Sequence, residues 1–157
     1  MTLTEEKIMD LIDHAIKAQK TALSPIYNYP VGVAILASDN SIYYGSNVEY
    51  SFGEATHGEQ AALENALRDG KREFIAIAIV TNSGGSPCGM CRQRLIDYTS
   101  PDLIVISSDS EKNYSTNNLK NLIPESFCFK DVNVDVKKLW NLFGSLTKVE
   151  NNVEWIS

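Results

Sequence analysis

Apolar residues recur three and four apart through residues 5–22, at Ile8, Leu11, Ile12, Ala15 and Ile16, the spacing of a helix with one face toward a core. Ahead of it, Thr2 and Glu5 stand at capping-box distance. The pattern then breaks at SPIYNYP (24–30), where Pro25 and Pro30 mark a loop. VGVAILAS (31–38) and SIYYGSNV (41–48) are β-rich runs on either side of Asp39-Asn40, which predicts a hairpin. YSFGEAT (50–56) reads as a loop, and helical spacing resumes from His57 until Gly70 stops it. FIAIAIVT (74–81) is apolar throughout, as a strand covered on both faces would be. After the SGGSP loop (83–87) come a helix over CGMCRQRLIDY (88–98), a buried strand over DLIVISS (102–108) and a short helix over NNLKNLI (117–123), ended by Pro124. From 131 on, Val136, Leu139, Trp140 and Phe143 again have helical spacing. The order α-β-β-α-β-α-β-α, with two helices as crossovers, predicts a three-layer α-β-α sandwich on a mixed α/β sheet. The crossovers make the third and fourth strands parallel to their predecessors.

Composition adds limits to this picture. The 157 residues are 43% apolar and 22% charged, enough for one domain with its own core and too apolar for a disordered chain. A net charge of −6, with the basic residues scattered, argues against a polymeric nucleic acid as partner. No apolar run is long enough to span a bilayer, and the charged N-terminus lacks the features of a secretion signal, so the expected location is the cytoplasm with no membrane association. Cys88, Cys91 and Cys128 are too few, and odd in number, for a disulfide framework.

Cys88 and Cys91 form a C-x-x-C at a helix start, and His57 opens the other crossover helix. Loops that follow the carboxyl ends of parallel strands gather at one sheet edge, so the three side chains can converge. Two thiolates and one imidazole are three zinc ligands, which leaves a fourth position open to water. Zinc lowers the pKa of bound water to about 7, and Glu59, two residues after His57, is placed to carry its proton. A bare C-x-x-C also fits redox chemistry or a structural zinc clip, but no second pair completes a ribbon. Cys128 is the rival fourth ligand, otherwise a small buried hydrophobe, and His14 reads as a surface residue.

The pattern H-x-E followed by P-C-x-x-C is the signature of zinc-dependent base deaminases. NYPVGVAI (28–35), SNVEY (46–50), HGEQAAL (57–63), SPCGMCRQ (86–93) and LIPESF (122–127) resemble, in order, the motif blocks of the cytidine deaminase family. The likeness covers roughly residues 4–127. It implies a sheet of roughly five strands, one zinc ion per chain held by His57, Cys88 and Cys91, and hydrolytic deamination of cytidine or deoxycytidine in pyrimidine salvage. Glu59 would be the catalytic proton carrier, serving N3 and then the departing amino group. It further implies that Asn47 and Glu49 hold the ribose, that Tyr29 packs on the pyrimidine where the family usually has Phe, and that the Gly58 N–H faces the base carbonyl. Phe127 would be an aromatic contact lent to a neighbouring subunit of a homotetramer, with a dimer as the alternative. On this reading residues 1–157 are a single catalytic domain, with 128–157 a C-terminal extension.

One departure concerns charge. Short family members usually carry Cys-Ala-Glu-Arg where this chain has His57-Gly58-Glu59-Gln60. Three thiolates around a divalent cation sum to −1, which an arginine offsets. One imidazole and two thiolates sum to zero, and Gln60 stands where that arginine would be. Three other functions remain in view. A deaminase of a modified cytosine nucleoside, such as a blasticidin-S-type antibiotic, would share SPCG-x-CRQ but differ at Glu49. A non-catalytic zinc-binding module would have no use for Glu59. A nucleic-acid deaminase is opposed by the acidic balance.

Overall fold

A computed structural model describes residues 3–136. Its element order is α1 (Glu5–Gln19), β1 (Gly32–Ala37), β2 (Ile42–Ser46), β3 (Val48–Glu49), β4 (Ala55–Thr56), α2 (Gly58–Arg68), β5 (Phe74–Val80), α3 (Gly89–Tyr98), β6 (Ile104–Ser108), β7 (Tyr114–Asn118) and α4 (Leu119–Leu122). The five long strands form one mixed sheet in the order β2-β1-β5-β6-β7. β1 is antiparallel to both β2 and β5, and β6 is parallel to β5. β5 therefore runs in the same direction as β2, as the crossover argument requires.

Alternation along the strands divides the core between two faces. Ala34 and Leu36 of β1, Ala76, Ala78 and Val80 of β5, and Ile106 cluster with Ile8, Leu11, Ile12 and Ala15 of α1. Val33, Ile35, Ile77 and Ile79 alternate with these and are also fully buried, facing the side that carries α2 and α3. α1 and α2 sit unusually close to the sheet, because glycines make room for them. A Cβ on Gly32 would lie 2.1 Å from the Ala15 carbonyl oxygen, and one on Gly45 would lie 2.1 Å from that of Gly58.

Register places the functional edge. Gly32 is paired with Ser46 on one side and Val80 on the other, and Val80 with Ser108. The carboxyl ends of β2, β5 and β6 thus line up with the start of β1. The segments 29–31, 47–57 and 81–88 all leave this edge.

Four local readings change. The cap of α1 is Thr4, whose Oγ1 accepts the Lys7 N–H at 3.3 Å, so the helix starts at Glu5 and Thr2 lies outside the described residues. YSFGEAT holds β4 and the turn of a small antiparallel hairpin with β3, closed by the Tyr50 N–H to the Glu54 carbonyl at 2.9 Å. Residues 114–118 form the edge strand β7, and only 119–122 of the predicted 117–123 helix is helical. The helical reading of the tail, with Leu139, Trp140 and Phe143, lies outside the described residues. Among the described residues no helix is long and apolar enough to cross a membrane.

The chain divides into two units, 1–126 and 127–157. The sheet and its helices belong to the first. In the second, a 3-10 turn at Phe129–Val132 is capped by Cys128, whose N–H donates to Asp131 Oδ2 at 2.7 Å.

The glycine notches give a stability test. Gly45→Ala drives a Cβ into helix backbone and should cost at least about 3 kcal/mol in urea unfolding. Gly70→Ala, at φ +84 with nothing within 4 Å of the added carbon, should cost only about 1 kcal/mol.

Candidate active site

His57 is the N-cap of α2 and Cys88 the N-cap of α3, and neither side chain caps its own helix. Both are left facing outward from the sheet edge. Cys91, one turn into α3, is fully buried. His57 Nδ1 lies 3.4 Å from Cys88 Sγ and 3.3 Å from Cys91 Sγ, and the three donor atoms all fall within 4.8 Å of one another. Residues 31 and 34 apart in sequence are thus brought to one point, as the spacing argument expected.

The donor set fits zinc. Tetrahedral bonds of about 2.3 Å to sulfur and 2.0–2.1 Å to nitrogen require a separation of about 3.5 Å between the two kinds of donor, close to the distances present. The electrostatics agree. Burial pushes the Cys91 thiol far up, and the neighbouring Glu59 carboxylate and Cys88 push it further. A buried sulfur and a buried carboxylate beside a second, exposed sulfur form a donor set suited to a cation.

Glu59 lies in the first turn of α2 and is 6% exposed. Among the described residues it has no ion-pair partner. Beside it opens a cavity of about 670 Å³, lined by Tyr29, Asn47, Glu49, His57, Gly58 and Cys88 among others. Every site residue predicted within the first unit therefore reaches the same cavity wall or the donor cluster. Phe127 opens the second unit, where it is exposed.

Two of the expected sugar contacts also hold the wall together. Asn47 Oδ1 accepts the Val31 N–H at 2.8 Å, and its Nδ2 donates to the Tyr29 carbonyl at 3.0 Å. Glu49 Oε2 accepts the Ile26 N–H at 2.6 Å and shares the Tyr27 N–H with Oε1. Each side chain thus fixes the loop before β1 and retains further lone pairs or protons for a ligand. Gly58 is boxed in by Val33, 2.9 Å from where a Cβ would be.

Some residues of the site were not foreseen. Arg92 donates from Nε to the Pro87 carbonyl at 2.7 Å, from Nη1 to the Leu122 carbonyl at 2.8 Å and from Nη2 to Ser86 Oγ at 3.1 Å. Its place directly after Cys91 was the available signal. Arg94 lines the cavity, with its Nη1 buried and making no hydrogen bond. Ser83 and Thr81, in the loop before Cys88, brace that wall.

A buried carboxylate beside a His-Cys-Cys donor set, over the edge of a mixed sheet, defines a zinc site of the hydrolytic kind. Residues 5–107 match the family described as the cytidine and deoxycytidylate deaminase zinc-binding region. The cytidine deaminase of Sporosarcina psychrophila is 34% identical over 78% of this chain and 92% of its own length, and that of Halalkalibacterium halodurans 33% over 78% and 96%. The crystal structure of cytidine deaminase from Burkholderia pseudomallei superposes with a TM-score of 0.73 at 34% identity, covering 80% of this chain and all of that one. The chain belongs to the cytidine and deoxycytidylate deaminase family.

The burial difference between the two sulfurs predicts an order of reactivity. In a Cys128→Ser variant loaded with zinc, no thiol should react quickly with a disulfide reagent. After chelation Cys88, which is exposed, should react at once and Cys91 many times more slowly, as read by mass spectrometry of the labelled peptides.

Proposed function

We propose that this protein deaminates cytidine and deoxycytidine by hydrolysis, giving the corresponding uridine and ammonia. The observation that carries the reading is Glu59. A carboxylate buried without a cationic partner costs stability, and its position at the rim of the donor cluster supplies a reason for keeping it.

His57, Cys88 and Cys91 would hold the zinc, which when bound acidifies water and so makes a nucleophile available at neutral pH. The chain's own groups supply the rest. Tyr29 forms a wall against which the pyrimidine packs, and the Gly58 N–H meets the base carbonyl. Asn47 and Glu49 take the ribose hydroxyls with the hydrogen-bonding capacity their loop contacts leave free. Glu59 takes the proton that water releases and places it on N3 as the oxygen joins C4. It then takes the proton left on the C4 hydroxyl and conveys it to the amino nitrogen, the C4–N bond breaks as the C4 carbonyl forms, and ammonia departs. Proton transfer of this kind is worth about 10²–10⁴-fold.

Residues 1–126 carry this machinery, and Phe127 adds to it, offered to a neighbouring subunit. A homotetramer follows from that role, with a dimer as the alternative. The protein works on a free nucleoside in the cytoplasm, in pyrimidine salvage, with neither nucleic acid nor membrane as partner.

Loss of ultraviolet absorbance should be seen with cytidine and deoxycytidine, and not with cytosine or a single-stranded oligonucleotide. Glu59→Gln should retain one zinc per chain, by metal analysis, while turnover falls about 10²–10⁴-fold. Near-native turnover in that variant would remove Glu59 from the role. Light scattering on the eluting peak should give four chains.

A further inference from the structure

We infer that Ser83 and Gly85 are positioning residues, forming with Tyr29 a latch across the cavity wall that sets the plane on which the substrate base rests. Tyr29 is held at both ends. Its carbonyl accepts from Asn47 Nδ2 at 3.0 Å, and its hydroxyl shares a hydrogen bond with Ser83 Oγ at 2.7 Å. The first contact fixes the backbone and the second fixes the ring, so little freedom remains between them. Pre-ordering of a binding wall raises affinity by removing entropy that binding would otherwise cost.

The partner loop is shaped for this contact. Thr81 Oγ1 accepts the Gly85 N–H at 2.7 Å, closing a turn in which Gly84 takes φ +70 and Ser83 stands near the tip. Gly85 leaves a gap that the tyrosine hydroxyl enters. A Cβ at Gly85 would lie 2.9 Å from Tyr29 Oη, whereas Thr81 Oγ1 and Ser83 Oγ stay at 3.5 and 3.7 Å. The hydroxyl is thus the one atom that an alanine here would displace. The same loop runs directly into Cys88, so the latch ties the base-facing ring to the segment that presents the metal donors. A phenylalanine at position 29 would pack equally well on a base but could not make this tie. The hydroxyl, the serine and the missing side chain form one device.

Only the choice of substrate rests on the deaminase reading; the contact stands on its own geometry. The test uses the zinc-loaded protein and the variants Tyr29→Phe, Ser83→Ala and Gly85→Ala, with each pair combined. Each single change should raise KM for cytidine about three- to tenfold and leave kcat within about twofold. No pair should be worse than its worse member, because all three break the same contact. Ser83→Thr, which keeps the hydroxyl, should restore the native KM. Thermal unfolding supplies a readout that needs no turnover. Gly85→Ala should lower Tm by about 5 °C or more in the native background and by much less beside Tyr29→Phe. Native KM in Tyr29→Phe, additive losses in the pairs, or an equal Tm loss from Gly85→Ala in both backgrounds would overturn the latch. Absence of cytidine turnover by the native protein would instead sink the deaminase reading, and the Tm comparison would still decide the latch.

Discussion

A contact between two backbones, Gly45 of β2 against the first turn of α2, sets the geometry on which the site depends. The helix lies so near the strand that a single methyl group at Gly45 would collide with the Gly58 carbonyl oxygen at 2.1 Å and the Ala62 nitrogen at 2.4 Å. Gly58 in turn fits against Val33 of β1. The helix start is therefore wedged between two strands and has little room to slide or roll. His57 caps that start and Glu59 lies in its first turn, so the imidazole and the carboxylate inherit its position. Close-packed interiors do not deform continuously, so this packing contact fixes where the two side chains can lie.

The second consequence is electrostatic. Cys91 and Glu59 are both buried and neighbour the more exposed Cys88, so the cluster collects acceptors and almost no compensating charge. Gln60 donates its amide to Glu64 Oε1 at 2.8 Å, and Glu64 also takes Arg68 at 2.7 Å. The amide is committed along the helix and brings no charge to the donors. Among the described residues, Arg94 is the one formally cationic side chain on the cavity wall. A divalent cation bound there would stabilise the thiolate form of Cys91 that burial disfavours. One imidazole and two thiolates bring a charge of −2, which a divalent cation would neutralise without help from a neighbouring arginine.

How much of this was legible in the sequence depends on the range of the interaction concerned. Helical spacing in α1 and α2, and the unbroken apolar run of β5, report a buried face directly, so the layers and crossovers follow from pattern. β7 has no such signal: YSTNN is a polar edge strand, exposed over Ser115–Asn117, and it is held by pairing with β6 rather than by burial. The β3–β4 hairpin is too short for alternation to register, and part of its support is the stacked pair Tyr50 and Phe52, 5.7 Å apart. The donors and Glu59 were legible because their chemistry limits residue type and spacing. Tyr29 was legible as a candidate site residue and lines the cavity, but its tie to Ser83, 54 residues away, is tertiary and leaves no local trace.

Arg92 shows how the same rigidity reaches the second helix. Nothing like the Gly45 notch is present under α3; its N-terminal loop is instead held by one guanidinium that spans Ser86, Pro87 and Leu122. Only arginine offers several donors in a fixed planar fork, so a lysine could satisfy one of these acceptors and not all three. The Pro87 carbonyl and Ser86 hydroxyl immediately precede Cys88, while Leu122 ends α4 beyond β7. The end of α4 is therefore part of the support for the loop that leads into Cys88. α2 is set by close packing on the sheet and α3 by the Arg92 fork to α4 and to its own N-terminal loop. The donor cluster forms where these two independent constraints meet, and that explains how an imidazole and two sulfurs more than thirty residues apart arrive within bonding distance of one ion.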